Sequence, residues 1–158
     1  MNQRVNRIVA PVLAIVALAA SASAMAQQAP KPEQLIKWRQ SAYQGLAWNT
    51  GRVKANVDGK FNKDEVVKAA NTIAAIANSG LGSLYAPGTE TGKGWKETTV
   101  KPELFTDPKA GEVAGHFNKE ANELARVAAL GDVATIKAQL GKLQGTCKAC
   151  HDDYRKKD

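Results

Sequence analysis

The sequence predicts an all-α protein, an antiparallel four-helix bundle in which residues 27–158 form one domain. Three observations predict it. Apolar residues recur at steps of three and four in four separate segments. Punctuation falls between those segments, at Asp58-Gly59, Pro87-Gly88 and Gly131-Asp132. No segment shows sustained period-two alternation with β-branched residues, so no sheet is expected.

The chain opens with Arg4 and Arg7, an apolar run over 8–20, and Ala24-Met25-Ala26 before Gln27. A basic start, a short apolar run and a small-x-small site make a secretory signal, cleaved after Ala26. The apolar run is 13 residues, short of the roughly 20 that span a bilayer. No later stretch is longer or more apolar, so no membrane insertion is expected. The formal charge of +7 falls to +5 once Arg4 and Arg7 leave, with 20 basic residues against 15 acidic ones. There is no basic stripe with interleaved aromatics, which argues against a nucleic-acid partner; a solvated basic surface is expected.

The first helix is predicted over about 32–56, with Leu35, Ala42, Leu46, Val53 and Val57 on one stripe and Ile36, Tyr43 and Ala47 beside it. The second begins at Asn62, which with Glu65 three residues on reads as a capping box. Its face is Val66, Ala70, Ile73, Ala77, Leu81 and Leu84, and Pro87-Gly88 ends it. A Gly-, Thr- and Lys-rich loop then runs to about Thr106; loops of this length are often functional. Asp107 and Pro108 read as cap and first-turn proline of the third helix, which presents Val113, Phe117, Leu124 and Ala128 and stops at Gly131. Asp132 caps the fourth. There Val133, Ile136, Leu140, Leu143, Cys147, Cys150 and Tyr154 make a bundle seam that includes both cysteines.

The chemistry sits in Cys147-Lys148-Ala149-Cys150-His151. C-x-x-C-H is the attachment sequence of a c-type haem. Two thiols three apart on a helix face the same side and can add to the two vinyl groups as thioethers. The next residue, His151, then presents its imidazole to the iron. Competing readings fit less well. A thioredoxin-like pair belongs at the start of a helix in a βαβ unit. Zinc wants four ligands, and the mature chain has two Cys and two His with unhelpful separation. A disulfide closing so small a loop would gain little.

The other side of the iron is read by counting. The methionines are Met1 and Met25, both in the signal, and the second histidine is His116 on the third helix. His116 neighbours the apolar face without lying at its centre and is expected to be an ordinary boundary or surface residue. The iron is therefore expected to be five-coordinate, which favours small-ligand binding over plain electron relay.

The sequence resembles the cytochrome c′ family, the class II c-type cytochromes, across the whole mature chain. The resemblance is carried by Lys31-Pro32-Glu33 through Lys37-Trp38-Arg39-Gln40-Ser41-Ala42, by Pro87-Gly88-Thr89-Glu90, and by the run from Cys147 through His151-Asp152-Asp153-Tyr154-Arg155-Lys156-Lys157. It implies one haem c per chain, bound through Cys147 and Cys150 with His151 as the proximal ligand. It implies that Arg39 and Gln40 hold the propionates, with Thr89 and Glu90 near the same haem edge. It places Arg155 over the proximal face and Tyr43 over the distal one. The loop over 92–101, including Trp95, looks longer than in the family; Trp95 either packs the loop down, the favoured reading, or covers the haem edge.

The resemblance also implies a non-enzymatic periplasmic protein that binds NO and CO and limits the toxicity of nitric oxide. The alternative is a periplasmic electron-transfer cytochrome with a redox partner. A peroxidase-like enzyme would want a distal acid–base pair that the sequence does not offer. Family members are usually homodimers packed through their first two helices, for which Trp48 and Ile76 are the candidates here.

Overall fold

Each helix begins and ends where local chemistry directs. The computed structural model describes residues 29–157; the expected signal, 1–26, lies outside them. Within them run α1 (Pro32–Asp58), α2 (Lys63–Ala77), α3 (Lys109–Leu130) and α4 (Val133–Tyr154). No strand occurs among the described residues, only isolated bridges pairing Lys93 with Glu97 and Val100 with Arg155. The helices pack in sequence and close through α1 against α4, the antiparallel bundle expected. None is long and apolar enough to cross a membrane.

Proline in the first turn starts α1. Asn62 caps α2 by accepting from the Glu65 N–H at 3.2 Å. The reciprocal half of the box is filled otherwise: the Asn62 N–H donates to the Asn56 side chain at 3.0 Å, and the Glu65 carboxylate pairs with Arg52. Asp107 caps α3 as expected, accepting from the Lys109 N–H at 2.8 Å. Asp132 accepts from the Thr135 N–H at 2.7 Å to start α4. Gly131, at φ 88°, takes the left-handed turn that ends α3.

The second helix is shorter than its apolar pattern predicts. It stops at Ala77, and Leu81–Leu84 form a separate 3-10 turn. The Ser79 hydroxyl donates to the Ile76 carbonyl at 2.7 Å, and Gly80 turns left-handed at φ 83°. Polar side chains thus take over the last carbonyls and glycine reverses the chain. Leu81 still reaches the core, so the apolar stripe outlives the helix.

Ile36, Val53, Ile73, Leu124, Ile136 and Leu143 are among the largest fully buried side chains. Each is worth about 1.5–3 kcal/mol of transfer free energy. Two polar residues share the α1 stripe, Arg39 and Asn49, 3% and 2% exposed. Hydrophobic periodicity cannot show them. Asn49 donates to the Gly45 carbonyl at 2.9 Å and accepts from Arg52 at 3.1 Å; Arg39 belongs to the site.

Candidate functional site

The apolar seam of α4 is buried through Ile136, Leu140 and Leu143 and then opens. Cys147 is exposed and Cys150 half-buried, both as free thiols. Desolvation by their surroundings pushes both thiols up from their ordinary value. His151 follows; partial desolvation, and then the positive charge of Arg155, hold its imidazole below the usual range. That favours the neutral ring, the form that ligates a metal. Tyr154 returns to the core at 5% exposure and donates to Asp107 at 2.8 Å, tying the end of α4 to the start of α3.

Facing this segment from α1 and the turn after α2 are two tyrosines. Tyr43 and Tyr85 join hydroxyls at 3.0 Å. Tyr43 lies within electrostatic reach of both thiols and Tyr85 within reach of Cys150. Desolvation raises both phenols above their ordinary value. The resemblance put Tyr43 here; Tyr85 was not foreseen. Its only sequence signal is an aromatic residue directly before Ala86-Pro87-Gly88.

Arg39 anchors the loop behind them. Its guanidinium donates to the Leu84 carbonyl at 3.3 Å, the Thr89 hydroxyl at 3.2 Å, the Thr89 carbonyl at 3.0 Å and the Thr98 hydroxyl at 2.9 Å. It also lies 4.5 Å from the centre of the Tyr85 ring. Burial pushes its pKa below the ordinary guanidinium value, and the fork of acceptors compensates a cation taken out of water. Thr89 is fully buried, while the Glu90 carboxylate closes the turn by accepting from the Gly88 N–H at 2.8 Å.

Gln40, the next residue, holds the far part of the loop. Its side-chain oxygen accepts from the Trp95 N–H at 2.7 Å and the Lys96 N–H at 3.3 Å, and its amide donates to the Lys96 carbonyl at 2.9 Å. The Trp95 indole donates to Ser41 at 2.8 Å, with the Lys37 ammonium 5.2 Å from the ring centre. Trp95 is thereby tied to α1 through its backbone and indole N–H, while the residue remains 61% exposed. Beyond it the loop pairs with α4: the Lys101 N–H donates to the Tyr154 carbonyl at 2.8 Å and the Lys156 N–H to the Thr99 carbonyl at 2.7 Å. The segment over 86–101 is a strap from α1 to the end of the cysteine-bearing helix. Val100 bridges to Arg155 within it, and Thr98, Thr99 and Val100 were not foreseen.

His116 is elsewhere. It is exposed, 4.0 Å from Glu112 one turn back on α3. It lines a cavity of about 420 Å³ between α3 and α4 with Val113, Thr146 and Ala149. Trp48 is exposed with Arg52 stacked 4.9 Å from its ring centre. Ile76 is half-buried against the core, facing Gly45 of α1.

Two thiols on one side of a helix, continuing an apolar seam, and a flanking imidazole suit a flat apolar macrocycle joined through sulfur. The fold and this donor set define a c-type haem protein built on a helical bundle. The cytochrome c′ family profile matches residues 34–155, and the chain belongs to that family.

Its relatives agree. The chain is 70% identical over 130 residues to a cytochrome c′ of Rhodocyclus tenuis, covering 81% of this chain and 98% of that one. It is 44% identical over 144 residues to a cytochrome c′ of Allochromatium vinosum, covering 90% and 93%. Among solved structures, a cytochrome c′ described as having an unusual ligand-controlled dimer dissociation superposes with a TM-score of 0.78 at 46% identity, covering 81% of this chain and 98% of that one. The nitric oxide complex of a variant cytochrome c′ from Alcaligenes xylosoxidans superposes with a TM-score of 0.71 at 28% identity, covering 80% and 98%. The family carries haem c covalently, and Cys147 and Cys150 are the thiols this chain has for it.

Proposed function

We propose that this protein is a periplasmic, non-enzymatic haem c protein that binds nitric oxide and carbon monoxide at a five-coordinate iron, in nitric oxide binding and protection. The observation that carries the proposal is the supply of ligands. Beyond residue 26 the chain has no methionine and only His116 besides His151. His116 is exposed and sits beside Glu112 on α3, whereas Tyr43 and Tyr85 neighbour the thiols.

In this reading Cys147, Cys150 and His151 would hold the haem, which would supply an iron able to bind a diatomic molecule. Arg155, whose charge already acts on His151, lies on the histidine side. Tyr43 covers the other side and restricts what fits there. Arg39 and Gln40, backed by Thr89 and Glu90, fix the edge where the propionates lie, a guanidinium being well matched to a carboxylate. The nitric oxide complex of the Alcaligenes xylosoxidans relative supports this choice of ligand. The dimer of the 46% identical relative supports a homodimer here, with exposed Trp48 as its candidate contact.

Optical spectra of the purified holoprotein, oxidised and reduced, before and after CO or NO, test the proposal. A high-spin spectrum with a broad reduced Soret band that shifts on adding CO is expected. A sharp low-spin spectrum indifferent to CO would overturn it, make His116 the first suspect as sixth ligand, and leave electron transfer as the function.

A further inference from the structure

We infer that Tyr85 is a positioning residue of this site: its hydroxyl latches Tyr43 in place, and so sets how readily a diatomic ligand reaches the iron. The inference rests on the reading above, in which the iron keeps an open position beside Tyr43. The geometry that carries it is a closed chain of contacts. Arg39 and Tyr43 lie one turn apart on α1, and Tyr85 touches both, its ring under the Arg39 guanidinium at 4.5 Å and its hydroxyl on that of Tyr43 at 3.0 Å.

The Tyr85 ring is fixed without help from its hydroxyl. Its backbone N–H donates to the Gly82 carbonyl at 3.0 Å, closing the 3-10 turn. The preceding carbonyl, that of Leu84, is held by Arg39 at 3.3 Å. Phe105 stands tilted by 59° with ring centres 6.3 Å apart. A phenylalanine would keep all of these contacts. What the hydroxyl adds is the bond to Tyr43, a residue that is 39% exposed and lies within electrostatic reach of both thiols. A ring so exposed can swing about its side-chain torsions, and the latch opposes that swing.

A ligand that needs the space beside Tyr43 must break the latch. A hydrogen bond of this kind is worth a modest net free energy in water, which corresponds to about a two- to tenfold effect on a rate or equilibrium. Loss of the hydroxyl should therefore speed ligand entry while leaving the bundle intact. Carbon monoxide is the suitable probe, because it is little affected by hydrogen-bond donors and reports access.

The experiment compares wild type, Tyr85→Phe, Tyr43→Phe and the double variant as haem-loaded proteins. It reads CO association after flash photolysis, thermal unfolding, and the tyrosine hydroxyl signature in ultraviolet resonance Raman. Expected are CO association about two- to tenfold faster in Tyr85→Phe, a Tm within about 2 °C of wild type, and loss of the acceptor signature of Tyr43. The double variant should match Tyr43→Phe alone, because the latch is already absent there. A wild type that takes no CO overturns the gas-binding reading and this role with it. A wild type that binds CO, with a Tyr85→Phe rate within about 1.5-fold of it, overturns the role alone. So does an equal acceleration by Tyr85→Phe in the Tyr43→Phe background, or an unchanged Raman signature.

Discussion

Arg39 grips Thr89 from fifty residues away, donating to its hydroxyl at 3.2 Å and its carbonyl at 3.0 Å while the threonine is wholly buried. A planar fork can meet both oxygens at once, and a lysine cannot. The same fork reaches Leu84 and Thr98, so one side chain gathers both ends of the strap. Arg39→Met should remove this anchor and leave buried acceptors without a donor. A loss of about 2–4 kcal/mol is expected, read as a lower urea midpoint. Arg39→Lys should recover only part of it.

The strap also depends on having no side chain at Gly94. A Cβ there would lie 2.7 Å from the Gln40 side-chain oxygen, 2.8 Å from the Lys37 backbone nitrogen and 2.9 Å from a methyl of Ile36. Two of these neighbours are backbone and buried core, which cannot give way cheaply. Gly94→Ala should cost about 1–3 kcal/mol and expose the strap to proteolysis, with cleavage mapping to 92–97.

Asp58 joins α1 to α4 at the opposite end. At the end of α1 it pairs with Lys137 of α4 at 2.6 Å and with Lys54 one turn back. Hydrogen bonds from Lys137 and then Lys54 lower its carboxyl from 3.8 to about 2. A folded-state pKa below the unfolded one means the stabilisation is present above pH 3.8 and lost as pH falls towards 2. Asp58→Asn should therefore be less stable than wild type near neutrality, and the gap should close over that acid range. Because the group is exposed, added salt should narrow the gap at every pH.

Covalent attachment through Cys147 and Cys150 predicts a graded response to losing either thiol. Cys147→Ser or Cys150→Ser alone should still retain haem against extraction by acidified acetone. One vinyl group would then stay conjugated and shift the reduced pyridine spectrum to longer wavelength. The double variant should release its haem entirely.

The bundle was legible in the sequence because its cause is periodic. Ile136, Leu140 and Leu143 recur at the spacing that buries one stripe, and Asn62, Asp107 and Asp132 carry the oxygens that start helices. The cysteine motif was legible for the same reason, as fixed local spacing. The end of α2 was not, since Leu81 continues the apolar pattern past a break made by Ser79 and Gly80. Nor were Tyr85 and Thr98. Their roles come from contacts spanning 42 and 59 residues, with Tyr43 and Arg39 respectively, and no local pattern marks a partner so distant. Arg39 and Gln40 were singled out through resemblance, yet their engagement with the strap spans 45 to 59 residues and could only be seen in three dimensions.

The strap has a consequence for the order in which the molecule assembles. Arg39 closes chain separations of 45 to 59 residues, and Lys101 reaches the carbonyls of Asp152 and Asp153 across 51 and 52. Such closures cost more chain freedom than the short turns joining α1 to α2 and α3 to α4, which bring sequence neighbours together. Helical hairpins should thus form first and the strap should fasten last. Until it fastens, the end of α4 beyond Cys147 and Cys150 lacks the backbone bonds that Thr99 and Lys101 make to it. For a protein whose cofactor is joined by covalent bonds, fastening the strap is the step that fixes the helix end carrying the thiols, with Cys147 still exposed afterwards.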